Sequence, residues 1–267
     1  LELPGVSTLR RGNAVVSTSD ERLVVSTAEG FLHIVEGNEI ITFTPKGVSS
    51  CQSGVVLMDD DKVALYAVTN EDGTSRVISV NLADATELWS VVLPGTVNGT
   101  PVLSDRGYIY VVHNVRVQNR EVGRLSVILD QSVAATLPDS QSDIRNPFAP
   151  PSVLSKDSGD IVLFGSSRDN GVSNQGAIFA VRWSRDHNIN DGLGEDAYKF
   201  DVLSDNLGST VTAPLALEDG EVYLGVQGSI VVAFSSDLLR GSSSNIIRIG
   251  YPLDRNPTNQ DLRKYNV

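Results

Sequence analysis

The sequence predicts an all-β fold in which four short antiparallel strands repeat five times along 267 residues. The first observation is a unit of an apolar run, a turn rich in Asp or Gly and a second apolar run, as in PVLSDRGYIYVVH (101–113). The second is that a third and a fourth alternating run follow each unit. The third is that no segment sustains the 3.6-residue period of an amphipathic helix. Four-strand units spaced roughly 40–50 residues apart are typical of β-propeller blades.

The first two strands of each blade form the clearest part of the repeat. Strand-forming residues fill the runs, and Asp, Gly or Ser occupies the turns between them. The unit occurs at 14–27, 54–69, 101–113, 151–166 and 214–228. Steps of 40, 46, 51 and 62 residues separate the matching positions Val16, Val56, Val102, Val153 and Leu215. The spacing increases along the chain, which predicts that later repeats keep the same strands but have longer loops.

The third and fourth runs complete each blade. The third runs lie at 30–37, 76–82, 123–130, 176–183 and 228–235. They are the most uniformly apolar, so we expect these five of their residues to be buried: Ile34, Ile78, Val127, Phe179 and Val232. The fourth runs lie at 39–45, 87–94, 132–138, 197–204 and 245–252. Four of these five end in Pro, which cannot donate to a strand ladder and therefore indicates an outer edge strand.

The repeat divides a single domain over residues 1–267 into five blades. We place them at about 10–50, 51–95, 96–139, 140–205 and 206–260, following the repeat spacing. The segment LELP (1–4) aligns with the end of a fourth strand whose own blade is missing. We therefore expect this chain to be excised from a longer one. Whether five blades close the ring or form part of a larger ring stays open.

One stretch, ISVNLADATELWSVVLPGTVNGTPVLSDRGYIYVV (78–112), resembles the repeats of the pyrroloquinoline-quinone-like propellers. Blades of that family have Gly-Thr-Pro before the inner strand, an Ala-Asp turn with Thr after the third strand, and a Trp on the outer strand. The matching residues here are Ala83, Asp84, Thr86 and Trp89, together with 99–101. The tryptophan occurs in one blade of five, so the resemblance is to the non-catalytic branch.

The resemblance implies a non-catalytic interaction domain that binds a protein partner and serves as a scaffold or sensor. It also implies an extracytoplasmic location, which would be secreted, periplasmic or lumenal. The alternative is an enzyme, either a quinone-dependent dehydrogenase or a carbohydrate-active propeller. The quinone enzymes often carry a vicinal disulfide and need calcium beside the cofactor. The single cysteine, Cys51, excludes that disulfide, and we expect no cofactor other than calcium.

The composition limits the partners. The formal net charge is −12, from 33 acidic and 21 basic residues. Phosphate backbones repel such a surface, so nucleic acid is not an expected partner. No apolar run approaches the roughly 18 residues of a membrane span, so this segment should not insert directly into a membrane. The oligomeric state stays open.

Four further residues have simple structural interpretations. Cys51 precedes an apolar run and is predicted to be a buried thiol. His33 and His113 fall at different positions of their blades, which argues against a shared metal. Asn98 begins the sequon Asn-Gly-Thr, which would accept a glycan only in a eukaryotic secretory pathway.

The long insertion WSRDHNINDGLGEDAYKF (183–200) offers the strongest candidate metal site. Asp186, Asn188 and Asn190 are spaced two apart before a glycine turn. Calcium takes six to eight oxygen ligands from such flexible loops. The glycine falls one place late for the EF-hand pattern, and a polar turn explains the same residues. The sequence therefore predicts a weak calcium site with these three ligands, and leaves a plain turn as the alternative.

No catalytic set emerges from the repeat. Asp residues recur in the turns between first and second strands at Asp20, Asp59, Asp105, Asp157 and Asp219. An Asp is favoured in such turns for its geometry, and a catalytic acid should break a repeat rather than follow it. The repetition therefore favours a structural role and a non-catalytic domain.

A partner site is expected on loops that break the repeat. Three segments do so: 114–122, 140–150 and 185–196. The second contains Arg145 and Phe148 in a loop bounded by prolines. An aromatic beside an Arg is frequent among interface hot spots, although Phe148 could equally pack beneath its own loop. We predict Arg145 and Phe148 as partner-binding residues.

Overall fold

The computed structural model describes residues 15–137, 149–156, 159–165, 178–183, 198–204, 213–216, 222–226, 230–234 and 246–250. These residues form twenty-two strands, paired antiparallel in five sheets, and contain no helix. The all-β prediction is therefore confirmed. The chain separates into two compact units. One comprises Leu1–Leu103 with Gly107–Ile144, and the other Ser104–Arg106 with Arg145–Val267.

The first unit contains three sheets, each following the chain in order. The strands of the first sheet are β1 Val15–Ser17, β2 Leu23–Ser26, β3 Leu32–Glu36 and β4 Glu39–Phe43. Those of the second are β5 Val48–Ser50, β6 Val56–Met58, β7 Val63–Asn70, β8 Ser75–Asn81 and β9 Thr86–Leu93. Those of the third are β10 Thr96–Val97, β11 Val102–Leu103, β12 Ile109–Val117, β13 Arg120–Leu129 and β14 Ser132–Leu137.

The second unit contains the remaining two sheets, both four-stranded. The strands of the fourth sheet are β15 Ser152–Lys156, β16 Gly159–Gly165, β17 Ile178–Trp183 and β18 Tyr198–Ser204. Those of the fifth are β19 Leu215–Ala216, β20 Val222–Val226, β21 Ile230–Phe234 and β22 Ile246–Gly250. The Ser152 hydroxyl donates to the Pro214 carbonyl oxygen, so a hydrogen bond joins the beginnings of these two sheets.

The second and third sheets have five strands because their inner strand is divided. β5 and β6 both pair with β7, and β10 and β11 both pair with β12. In the third sheet the break contains Thr100 and Pro101, and proline has no N–H for the ladder. The Thr100 hydroxyl instead accepts a 2.8 Å hydrogen bond from the Gly54 N–H in the preceding sheet. β11 thus follows the Gly-Thr-Pro segment, which we placed at the start of the inner strand, and the additional short strand β10 precedes it.

The segment 114–122, which we predicted to be a loop that breaks the repeat, is a long hairpin instead. β12 and β13 stay paired from Ile109↔Ile128 to Val117↔Arg120. Gln118 and Asn119 form a two-residue turn with φ of 47° and 67°. Two positive φ values match the twist of a hairpin, and Asn tolerates them well. The prediction was wrong because polar residues on exposed strand ends resemble loop residues.

Neighbouring sheets of the first unit pack face to face. Alternate residues of β7 point to opposite faces, as the two-residue period of a strand requires. Tyr66 and Val68 join a core with Val24 and Leu32 of the first sheet. Ala67 and Leu65 join another core with residues of the third sheet, including Val97, Ile109, Val111 and Ile128. β7 is therefore apolar on both faces.

The predicted core positions are confirmed where their side chains are described. Four of them are buried: Ile34, Ile78, Val127 and Phe179. The fifth, Val232, lies in β21, and its side chain lies outside the described part of the chain. Cys51 is a buried free thiol, as expected.

Candidate functional site

The two predicted binding sites lie outside the residues that the structure describes. Asp186, Asn188 and Asn190 fall in 184–197, and Arg145 and Phe148 fall in 138–148. The calcium site and the partner site therefore stay predictions. Within the described ranges, no cluster of three or more His, Cys, Asp or Glu side chains could hold a metal ion.

Two Asp residues of the first turns, Asp20 and Asp61, have structural partners. The Asp20 carboxylate accepts hydrogen bonds from the Arg22 Nε at 3.0 and 2.9 Å and from the Thr18 hydroxyl. These bonds, with that from Arg22 the strongest, lower the pKa of Asp20 to about 2. Asp61 accepts from the Ser19 N–H at 2.8 Å, which ties the first turns of two neighbouring sheets together. The interpretation of Asp20 as a structural turn residue agrees with this geometry.

The residues that carry the family resemblance also build turns. Asp84 accepts from both the N–H and the hydroxyl of Thr86, at 3.2 and 2.7 Å. Ala85 between them has a φ of 53°. This closed turn starts β9, and Trp89 packs from that strand against the core between the second and third sheets. The motif residues therefore have a structural role in the second sheet.

Asn98 begins a sequon whose threonine hydroxyl takes part in a hydrogen bond within the protein. The Thr100 hydroxyl accepts a hydrogen bond from the Gly54 N–H. Gly99, the middle residue of the sequon, is buried. Asn98 itself is half-buried. The sequon threonine therefore connects two sheets in the folded protein.

Two histidines lie in separate sheets, as their repeat positions predict, and the structure shows that both are buried. The Nδ1 atom of His33 lies 2.9 Å from the Thr42 hydroxyl. Its Nε2 atom has no hydrogen-bond partner in the described structure. Burial lowers the pKa of His33 from its usual value. Burial therefore favours the neutral form of this imidazole.

His113 forms a polar chain across three strands. Its Nδ1 lies 2.8 Å from the Pro94 carbonyl oxygen, and its Nε2 lies 2.9 Å from the Ser126 hydroxyl. A carbonyl only accepts, so Nδ1 carries the proton and Nε2 accepts from Ser126. Ser126 lies 3.0 Å from the Thr136 hydroxyl, which can donate in turn. Burial lowers the pKa of His113 to about 4.

The His113–Ser126 pair has the distance of a nucleophile and its base, but its surroundings do not suit catalysis. Both residues are completely buried, so no substrate reaches the hydroxyl. A backbone carbonyl, rather than a carboxylate, orients the imidazole. A catalytic pair needs an accessible nucleophile. We interpret this chain of hydrogen bonds as a structural tie between β12, β13 and β14, which the sequence alone did not reveal.

Three solved structures resemble this chain. Hydrazine synthase from Kuenenia stuttgartiensis aligns with a TM-score of 0.59 and 15% identity, over 85% of this chain and 66% of that chain. The Cps50 (Swd1) β-propeller domain from Myceliophteria thermophila aligns with a TM-score of 0.55 and 14% identity, over 93% and 76%. The fold is a β-propeller. The Dos1 propeller aligns with a TM-score of 0.56 and 11% identity, over 91% and 63%.

These propellers show the fold of the chain and not its activity, because one fold hosts many functions. The chain spans about two thirds of the hydrazine synthase chain. No family model and no curated protein matches it. The resemblance to the pyrroloquinoline-quinone-like family therefore stays a prediction. No helix that could cross a membrane occurs in the described ranges.

Proposed function

We propose that this propeller is a non-catalytic protein-interaction domain that serves as a scaffold or sensor in an extracytoplasmic location. The observation that carries the proposal is the enclosed Ser126–His113 pair, which has the geometry for chemistry and no access for a substrate. The partnered Asp20 and Asp84 support it, since their carboxylates hold turns. Propellers suit such a role because rigid strands present broad loop surfaces.

The finer features belong to the same proposal. The five sheets would be five propeller blades of the pyrroloquinoline-quinone-like type, with Arg145 and Phe148 on a partner-binding loop. A calcium ion would be held by Asp186, Asn188 and Asn190. The net charge of −12 favours a protein partner with basic surface over nucleic acid.

Cross-linking and reconstitution test the proposal. The tagged protein is cross-linked in extracts of its source, and the captured partner is then purified and titrated against the protein. We expect Phe148→Ala and Arg145→Ala each to weaken the measured Kd about tenfold, as hot-spot truncations do. Their melting temperatures should stay close to that of the wild type.

Two results would oppose the proposal. A partner bound with unchanged Kd by both variants removes Arg145 and Phe148 from the site. The same follows if Phe148→Ala lowers the melting temperature by several degrees and leaves binding intact, because that side chain then packs beneath its loop. The second result is that no purified candidate binds the wild type, in which case the interaction function itself is wrong.

A further inference from the structure

A groove of about 260 Å³ opens in the first unit between the β3–β4 hairpin and the segment after β8. Ile34 and Leu82 lie beneath it in the buried core and expose almost none of their surface. Ile41 of β4 adds an apolar wall and remains 42% exposed. The lining is otherwise mostly polar, and Ile41 gives it an apolar wall that is open to solvent.

The basic side chain in the groove is already neutralised. Arg22 donates to both carboxylate oxygens of Asp20, and its Nη1 donates to the Leu82 carbonyl oxygen at 3.1 Å. The Arg22 side chain is only 14% exposed. This pair lines the groove and contributes no net charge to it.

Glu36 and Glu39 give the groove a negative charge. They face each other across the two strands of the β3–β4 hairpin, and both are exposed. Neither carboxylate has a hydrogen bond or an ion pair in the described structure. Like charges directly opposite on neighbouring strands destabilise a sheet. A cation between Glu36 and Glu39 would turn that repulsion into attraction.

We propose that this groove binds a lysine or arginine side chain of a protein partner, which deepens the proposed interaction function and rests on it. The aliphatic stem lies along Ile41 and the charged head lies between Glu36 and Glu39. Long basic side chains combine an apolar stem with a charged tip in this way. The volume suits one side chain, since small-molecule pockets begin at about 300 Å³.

A basic protein segment matches more of the groove than a metal ion does. A metal ion would use the two carboxylates and leave the wall at Ile41 without a contact. The overall charge of −12 also attracts a basic segment and speeds its association. A lysine or arginine side chain can contact both the apolar wall at Ile41 and the carboxylates of Glu36 and Glu39.

The test is a titration of the full chain with a short fluorescent Gly-Ser peptide that carries arginines. The same peptide with glutamines in their place is the control ligand. We expect the double variant Glu36→Gln with Glu39→Gln to bind the arginine peptide about tenfold more weakly. Ile41→Ser should weaken binding about threefold through the loss of apolar contact. Added salt should weaken the wild-type complex.

A matched variant distinguishes binding by the groove carboxylates from attraction by the overall negative charge of the protein. Glu71→Gln with Glu121→Gln removes the same two charges at exposed positions outside the groove. We expect that variant to bind the arginine peptide like the wild type. Equal losses in both double variants would overturn the proposal, because the attraction would then come from net charge alone. Displacement of the peptide by calcium chloride at constant ionic strength would also overturn it.

Binding experiments with the purified partner distinguish the groove proposal from the proposed interaction function. If the partner binds the Glu36 and Glu39 double variant with the wild-type Kd, the groove is not its site and the interaction function stands. If the arginine peptide binds in the groove but no protein partner is found, the groove is confirmed as a cation-binding surface and the interaction function fails.

Discussion

The hydroxyl of Tyr66 on β7 donates a 3.0 Å hydrogen bond to the carbonyl oxygen of Gly30 in the preceding sheet. Tyr66 is completely buried, and burial raises its pKa well above the usual value. Gly30 lies in the turn that leads into β3, where the Thr27 N–H donates a hydrogen bond to the Phe31 carbonyl oxygen. The bond therefore ties the second strand of one sheet to a turn of its neighbour, inside a shared apolar core.

Replacing Tyr66 by Phe should destabilise the protein by about 1–2 kcal/mol. The ring still fills the core, but the buried Gly30 carbonyl loses a donor, and a lost partner costs about that much. Urea unfolding measures the effect as a lower midpoint with an unchanged slope. An unchanged midpoint would mean that water replaces the hydroxyl at no cost.

Replacing Gly30 by Ala should cost about 3 kcal/mol, from backbone strain together with a clash. Gly30 has a φ of 93°, and an added Cβ would lie 2.6 Å from a methyl carbon of Val48. Gly37→Ala is the matched control, because Gly37 has a φ of 57° and open space around it. That change should cost only about 1 kcal/mol. Equal costs for the two variants would show that Val48 moves aside freely.

Acidification should destabilise the fold through His113. Its folded pKa is about 4, below the usual 6.5, so the unfolded chain binds the proton more tightly. Stability is therefore complete above pH 6.5 and is lost as the pH falls towards 4. One pK unit corresponds to about 1.4 kcal/mol, so the loss from His113 amounts to about 3 kcal/mol. Urea unfolding at several pH values measures it.

His113→Asn provides the control for this pH dependence. An asparagine amide can still donate towards the Pro94 carbonyl oxygen but does not titrate. The variant should be less stable at pH 7, and its stability should change less between pH 6.5 and 4. An unchanged pH dependence would assign the effect to other groups, such as His33, whose pKa is also lowered by burial.

Calorimetry with Ca²⁺ tests the loop at Asp186, Asn188 and Asn190. We expect a weak binding heat, because only part of the EF-hand pattern is present. The Asp186→Ala variant should lose that heat, while Asp219→Ala, a change in a repeated turn, should keep it. The absence of heat at millimolar calcium would leave the segment as a polar turn.

The sequence predicted the repeated strands well where both faces of a strand are buried. β7 therefore begins with a continuous apolar run, Val63 to Val68, and Asp or Gly marks the turns between strands. The same local reasoning failed at 114–122. Polar residues there lie on exposed strand ends, and only the pairing of β12 with β13 shows that the ladder continues.

The sequence by itself determined the all-β class, the approximate strand positions and the burial of Ile34, Ile78, Val127 and Phe179, because apolar periodicity and turn residues are local properties. The tertiary structure alone decided which distant polar groups meet. His113 reaches Ser126 and Thr136 through the register of three strands, and Asp61 meets the Ser19 N–H through the packing of two sheets. Such contacts depend on register and on the approach of neighbouring sheets, which no single stretch of sequence encodes.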